Sequence, residues 1–478
     1  MRFFRSFLVV FTGVLLSGCA PSDPPPQNRD AHTTLITNGQ ILTMNTERQV
    51  LEGGCVLIKG RVIRRVLAQC MAADYPYAKI IDADGDIVMP GMINLHNHLP
   101  MIAFRGLAET DIKDVHDRLY NYFFPLEKQL LDRSLIRVSA RQAAMEMVLG
   151  GVTTTTDMYY HEDEVAKSVK QVGLRGVLGE TVIGFPVVDA PTPYGGMDYA
   201  RKYIKDWQGD NLITPAIAPH APYSVSPDKL KQIKVLADNL KAPILLHMAE
   251  MPGERAAIAK AFPGTTEDKS VVRYLEDIGF LGPSVLAAHV IYVDEADVAL
   301  LKARGVGISH NPKANSKDNS GKAPAWKMVK AGLAVGLGTD GPMSSNQLDI
   351  LSVMNYAARL ARDETGKVSV YKPSDLVAMA TIEGARALHM DDKIGSLEAG
   401  KLADIIIVET KSPNMQPNYD PYATLVFSAY PGNVRLTMVG GRIIAREGQI
   451  LTVDLAAHQK QWQAVMSRVS KFARTLGH

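Results

Sequence analysis

The sequence predicts an α/β protein: a (β/α)8 barrel of the TIM type, with a small β-sandwich built from both ends of the mature chain. Three observations predict it. Eight short, β-branched apolar runs recur between residues 92 and 340, with helical stretches between most of them. Two Gly-rich, strand-like stretches, roughly 33–90 and 395–450, flank that region at opposite ends of the mature chain. The chain is 478 residues long, 46% hydrophobic and 21% charged, which suits one large domain with a smaller one and matches ordinary globular composition.

Residues 1–18 read as a signal peptide rather than as part of the fold. Arg2 and Arg5 open it, and Phe7 to Leu16 form an apolar run too short to span a bilayer as a helix but suited to a signal. Leu16-Ser17-Gly18-Cys19 resembles a bacterial lipobox, whose cleavage leaves Cys19 as a lipidated first residue. An ordinary secretory signal cut nearby is the alternative. Residues 19–32 then form a tether, with four prolines in PSDPPPQNRDAH and no core-forming residue. Ala20, rather than Asp, follows Cys19, which favours the periplasmic face of the outer membrane if the source cell has two membranes.

The terminal stretches come next. TLITNGQILTM, GCVLIKGRVIRRVL and KIIDADGDIVMP supply strands over 33–90; IGSLEAGKLADIIIVE and VRLTMVGGRIIAREGQIL supply them over 395–450. The economical reading is one β-sandwich from both termini, with a barrel over 91–394 inserted between them and a C-terminal helix over 451–478. Cys55 and Cys70 are the cysteines left after Cys19, and the spacing leaves a disulfide and free thiols equally open.

The barrel runs are MINLHNH (92–98), VTTTTDMYYH (152–161), RGVLGETVI (175–183), ITPAIAPH (213–220), PILLHMAE (243–250), VLAAHVIY (285–292), VGISHNP (306–312) and AVGLGTD (334–340). Helical patterns over 131–149, 162–172, 228–240 and 294–304 separate several of them. Strands alternating with helices indicate a parallel sheet, and eight of them suggest closure. A doubly wound open sheet is the alternative, but no Gly-x-Gly-x-x-Gly turn follows the first strand.

Composition excludes several functions. Lys and Arg number 52 against 50 for Asp and Glu, and removal of residues 1–18 leaves the rest formally neutral, so no excess exists to neutralise nucleic-acid phosphates. Three cysteines cannot build a Cys-rich zinc framework.

Histidine placement carries the functional signal. His96, His98, His161, His220, His247, His289 and His310, seven of twelve, fall at the C-terminal end of a predicted strand, and Asp340 ends the eighth. In such a barrel that end holds the active site. One histidine there is usually a hydrogen-bonded interior residue; seven converging with an aspartate point to a metal. His96 and His98, two apart on a strand, face the same way.

PGMINLHNHLPM, HAPYSVS, LLHMAE, ISHNPKAN and GLGTDGP resemble the successive barrel-strand motifs of the amidohydrolase superfamily. The resemblance is closest to the aminohydrolase branch that holds the adenosylhomocysteine/methylthioadenosine deaminases and the triazine hydrolases, and it runs in motif order over about residues 33–450. DMYYHE and FPLE resemble the deaminases in particular. The resemblance implies His96, His98, His247 and Asp340 as metal ligands and Glu250 as general acid/base. It gives His289 the hydrogen bonds to the metal-bound hydroxide and the oxyanion, with Asp340 assisting. It makes His220 and Glu127 substrate contacts. Three imidazoles and one carboxylate suit one divalent ion, zinc by default, with iron or manganese as other fits. Binuclear relatives bridge two metals with a lysine ending the fourth strand; here His220 stands there, so one metal is expected.

The chain departs from the deaminase pattern around the substrate. HDRLYNYFFPLE places Arg118, expected as a third substrate contact, where those deaminases commonly carry a tryptophan that packs on the base, and Glu180 stands near a missing third-strand arginine. His310 is expected to shape a loop. His161 and Glu162 either line the mouth or serve structure.

The expectation is thus a lipid-anchored, metal-dependent hydrolytic deaminase of a heterocyclic amine such as a purine or nucleoside, pterin, pyrimidine or triazine. Metal-bound hydroxide would attack the amino-bearing ring carbon while Glu250 shuttles protons. Displacement of chloride, alkylamine or thiolate, or cleavage of an amide or imine C–N bond, is the runner-up. A non-catalytic metal- or solute-binding lipoprotein is the reading from another class. Partners are the small-molecule substrate and the membrane through Cys19, without nucleic acid. A homo-oligomer is compatible with the family, and no interface stripe fixes its order.

Overall fold

The computed structural model describes residues 33–474 apart from 108, 111 and 114; Cys19, the signal segment and the tether lie outside the described residues. No helix among the described residues is long and apolar enough to cross a membrane.

The N-terminal stretch folds into β1 (Thr33–Leu42), β2 (Val50–Lys59), β3 (Val62–Leu67), β4 (Lys79–Asp82) and β5 (Ile87–Pro90). The barrel follows as β6 (Met92–Asn94), β7 (Val152–Tyr159), β8 (Arg175–Val182), β9 (Ile213–Pro219), β10 (Ile244–Met248), β11 (Val285–His289), β12 (Gly307–His310) and β13 (Val335–Leu337). The chain then returns through β14 (Ile405–Val408), β15 (Val434–Val439), β16 (Arg442–Arg446) and β17 (Gln449–Ile450).

β6 to β13 pair in chain order as one parallel sheet. Its ends meet where Leu95 N donates to Leu337 O (2.8 Å) and Asp340 N donates to His96 O (2.9 Å). The predicted eight-stranded barrel is therefore present and nearly closed. Its strands are buried throughout or almost so, which is why none alternates regularly between apolar and polar residues; β10 and β11 read as apolar runs, while β7 and β8 also bury Asp157, Arg175, Glu180 and a row of threonines. Ile93, Met158, Val177, Ala216, Leu245 and Leu286 fill the interior. Helices cover the outside, several held at their start by a capping side chain. Asp132 accepts from Leu135 N before Arg133–Leu149, and Asp294 accepts from Asp297 N before Glu295–Ala303.

The two termini share one sheet, as expected. β14 lies antiparallel to β5, with Ile405 opposite Pro90 and Val408 opposite Ile87. The result is a mixed nine-stranded sheet among the described residues. Ile36, Val56, Ile63, Val88, Ile405 and Leu436 pack as a core of its own. A buried ion pair ties sheet to barrel: Arg175, opening β8, donates from Nε and Nη2 to the two carboxylate oxygens of Asp404 at 2.9 and 3.0 Å. Such a fork fixes orientation as well as distance. The helix Leu455–Ala473 closes the described chain, and its His458 Nε2 meets Gln142 Oε1 at 2.8 Å.

The cysteine question is resolved by register. Cys55 on β2 stands opposite Leu67 on β3, so the chain brings Cys70 back beside it, and the two form a disulfide with Cα atoms 6.3 Å apart.

Candidate metal centre and active site

Strand ends deliver the site. His96 and His98 follow β6, His247 lies on β10, His289 ends β11 and Asp340 follows β13. His98 Nε2 is 3.3 Å from Asp340 Oδ1, His96 Nε2 is 3.5 Å from the same oxygen, and His247 Nε2 is 3.3 Å from His98 Nε2. His96, His98 and His247 form one group whose ligand atoms lie within 4.8 Å of one another, and His96, His289 and Asp340 form a second. All five are buried.

Tight backbone makes this convergence. His289 and Asp340 adopt φ of 74° and 63°, and Ala249, just before Glu250, adopts 52°. Such non-glycine conformations cost roughly 1–3 kcal/mol each and persist where the surroundings enforce them. Gly338 is needed beside them, because a Cβ there would stand 2.3 Å from Asn311 Oδ1 and 2.9 Å from His96 Cβ.

Hydrogen bonds set the tautomers. His98 Nδ1 donates to Met158 O (2.8 Å), His247 Nδ1 to His220 O (2.8 Å) and His289 Nδ1 to Asn315 Oδ1 (2.7 Å). Each carbonyl oxygen can only accept, so the proton is on Nδ1 and each Nε2 presents a lone pair. His96 Nε2 and His289 Nε2 are buried without a hydrogen-bond partner. Unpaired lone pairs around a buried carboxylate are unfavourable unless a cation sits among them. The residues present therefore fit a divalent metal, and the outward Nδ1 bonds are the orienting partners that metal-binding histidines use.

Burial dominates the electrostatics. It holds His98 down at about 4 and His220 at about 3, and His96 and His247 well below the usual range, with neighbouring histidines adding to the shift. Neutral imidazoles are the form a metal needs. Burial, then Asp340 and Asp318, pushes Glu250 well above the ordinary carboxylate range. Its Oε1 lies 3.7 Å from His289 Nε2. The Glu254 carboxylate accepts from Glu250 N (2.7 Å) and Ala249 N (3.2 Å), which fixes the turn that presents Glu250.

A cavity of about 610 Å³, its mouth included, opens beside these residues. His98, His220, His247, Glu250 and Asp340 contribute its polar wall, and Phe124, Tyr159, Tyr160 and Tyr223 its aromatic one. His220 Nδ1 meets Ser224 Oγ at 2.9 Å. Glu127 lies on the helix Phe124–Leu130, lines the cavity and accepts from Tyr159 OH at 2.7 Å. Burial raises it to about 8.

Arg118 is placed differently from the other substrate-contact candidates. It is buried, its Nε stands 3.1 Å from Asp318 Oδ1, and Asp318 rather than Arg118 lines the cavity. Leu119 and Phe123, from the π-helical turn after it, reach the cavity instead. His161 and Glu162 do not line the cavity. Glu162 is fully buried, with its N–H donating to Glu180 Oε2 at 3.0 Å. His310 is buried on β12 and held down at about 4.

Sequence reasoning missed Asn315, Glu254, Asp318 and Ser344. Asn315 lies within the ISHNPKAN motif, one helical turn past Asn311, so that signal was present. Asp318 and Ser344, both on the cavity wall and the latter hydrogen-bonded to Asp340, sit on segments whose approach to the site only the barrel's closure determines.

These features define a metal-dependent hydrolase. Residues 87–444 match the amidohydrolase family, and the chain belongs to it. A 5-methylthioadenosine/S-adenosylhomocysteine deaminase of Syntrophobacter fumaroxidans is 34% identical over 443 residues, covering 92% of this chain and 98% of that protein. A 5′-deoxyadenosine deaminase of Methanosarcina mazei is also 34% identical over 443 residues, covering 91% and 99%. Among solved structures, a zinc-bound adenosine deaminase from Xanthomonas campestris superposes with a TM-score of 0.86 at 29% identity, covering 92% and 98%. Within the family, the chain stands with the deaminases.

Proposed function

We propose that this deaminase acts on an adenine nucleoside, replacing the 6-amino group of the ring with oxygen and releasing ammonia. The observation that carries the reading is Glu250, buried, with its carboxyl pushed well above the usual range, and 3.7 Å from His289 beside an aromatic-walled cavity. Likeness to deaminases of 5-methylthioadenosine and 5′-deoxyadenosine along nine-tenths of both chains supports the choice of ring.

His96, His98, His247 and Asp340 would hold one zinc ion, the metal bound in the 29%-identical adenosine deaminase. When bound, such a metal supplies activated water at neutral pH and an electrophilic field for developing charge. Glu250 gives a proton to the ring nitrogen next to the amino-bearing carbon, which makes that carbon electrophilic, and then assists departure of ammonia. His289, with its Nε2 lone pair directed inward, accepts a hydrogen bond from the attacking water and orients it. Asn315 keeps that tautomer in place. Phe123, Phe124 and Tyr223 offer flat apolar contact to the ring, and Glu127 faces the sugar hydroxyls.

We further propose that Cys19 carries a lipid and anchors the enzyme at the cell envelope, on the periplasmic face of the outer membrane where the cell has two. The Leu16-Ser17-Gly18-Cys19 run and the proline tether support it, and the Cys55–Cys70 disulfide suits an oxidising compartment. Metabolic labelling with a fatty-acid analogue should mark the full chain and not Cys19→Ser; equal labelling would refute the anchor.

The function is tested by mass-resolved product analysis of the zinc-loaded full chain in detergent, with adenine nucleosides, pterins, pyrimidines and triazines offered side by side. Conversion of an amino to a hydroxyl group on adenine nucleosides, lost on chelation, is the expected result. Turnover confined to another ring would overturn the choice of substrate.

A further inference from the structure

A second groove continues from the catalytic cavity to the surface. Tyr120, Phe124, Phe185, Pro186, Val187 and Val188 form its walls, and Phe124, Glu127 and Tyr160 are common to groove and cavity. Phe124 is the partition. Its ring meets Tyr120 edge-on at 5.3 Å and Phe185 at 5.2 Å on the groove side, and lies 6.2 Å from the ring of His220 on the catalytic side. A molecule reacting in the cavity can therefore extend a substituent into the groove, past the point where Glu127 stands.

The groove is apolar where it could have been charged. Lys128 is the one cation among its described lining residues, and that side chain is exposed. A zwitterionic chain entering here would give up hydration for ring faces and aliphatic carbon, and desolvating charged groups without partners is costly. An alkyl or thioether chain pays no such penalty and gains from burial. Tyr120 and Val188 are 44% and 37% exposed, an apolar rim that a solvent-facing mouth would not otherwise favour.

We infer that this groove receives the 5′ substituent of an adenine nucleoside and selects a 5′-deoxy or 5′-alkylthio group over an amino-acid chain. The inference rests on the adenine-nucleoside reading above and names which members of that class are accepted. The walls, not the metal centre, set the choice, so specificity separates from chemistry.

The test compares kcat/KM of the zinc-loaded full chain for adenosine, 5′-deoxyadenosine, 5′-methylthioadenosine and S-adenosylhomocysteine. We expect 5′-methylthioadenosine to exceed S-adenosylhomocysteine by at least about tenfold, the discrimination that small apolar pockets reach. Phe185→Ala should lower the ratio of 5′-methylthioadenosine to adenosine by roughly the same factor. The surface change Val188→Lys, which supplies a cation for a carboxylate, should narrow the gap to S-adenosylhomocysteine severalfold. Equal or better turnover of S-adenosylhomocysteine, or a Phe185→Ala effect identical on both substrates, overturns the inference while deamination of adenine nucleosides stands. Turnover of none of the four overturns both.

Discussion

Replacing Arg118 by methionine isolates the charge logic of the cavity wall. Arg118 Nε stands 3.1 Å from Asp318 Oδ1, with both side chains almost wholly buried. Burial raises Asp318 from 3.8 to about 7; Arg118 draws it down, and Asp340 pushes it further up. A carboxylate whose value is raised by folding lowers stability as pH climbs from the unfolded value to the folded one. The wild type stops losing stability near pH 7, where Asp318 ionises within its ion pair. The variant, left with only the weaker pull of Lys317, holds the proton longer and goes on losing about 1.4 kcal/mol per pH unit. The gap is therefore small below pH 7 and reaches about 2 kcal/mol at pH 8.5. With an unfolding entropy of roughly 0.9 kcal/mol per kelvin for a protein of this size, that is a Tm difference of about 2 °C. Thermal melts of the chelated protein at pH 6, 7.5 and 8.5 read it directly. Arg118→Met with Asp318→Asn should abolish the widening. A gap that is constant across pH, or that widens in the double variant too, would refute the reasoning.

Three further outcomes follow from the site. Glu250→Gln should retain bound zinc and lose about 10²–10⁴ in turnover, the usual worth of a general acid/base, and unchanged activity would remove it from the reaction. Asn315→Ala frees the Nδ1 side of His289 and should lower kcat about 10–100-fold while metal content holds, since misplacing a group that orients the reacting water costs about that much; steady-state kinetics beside metal analysis checks it. Glu127 is raised from 4.5 to about 8. Glu127→Gln should therefore gain Tm over the wild type progressively from pH 4.5 to 8 and level off beyond, and a flat difference would contradict that value.

Much of the molecule was legible because the barrel writes itself in sequence. A strand buried on both faces does not alternate apolar with polar residues, so β7, β8 and β11 appear as β-branched or apolar runs such as VTTTTDMY and VLAAH, and residues that end several of these runs face the active mouth. That rule is enough to bring His96, His98, His247, His289 and Asp340 to one place. What could not be read depends on register and loop approach. The Cys55–Cys70 bond needs the offset of β2 on β3, where a shift in pairing separates the thiols. The burial of Arg118 against Asp318 joins segments 200 residues apart across the barrel mouth, and nothing local in HDRLYNYFFPLE announces it. A basic residue beside an expected base-stacking position reads as a substrate contact until its partner is seen.

Whether three histidines and Asp340 hold one catalytic zinc is decided by titrating zinc into chelator-stripped, full-length protein while following ammonia release from 5′-methylthioadenosine and bound metal together. The expected result is no turnover at zero zinc and activity that rises linearly and levels off at one zinc per chain. Turnover that survives stripping, or a plateau reached only at two, would contradict it.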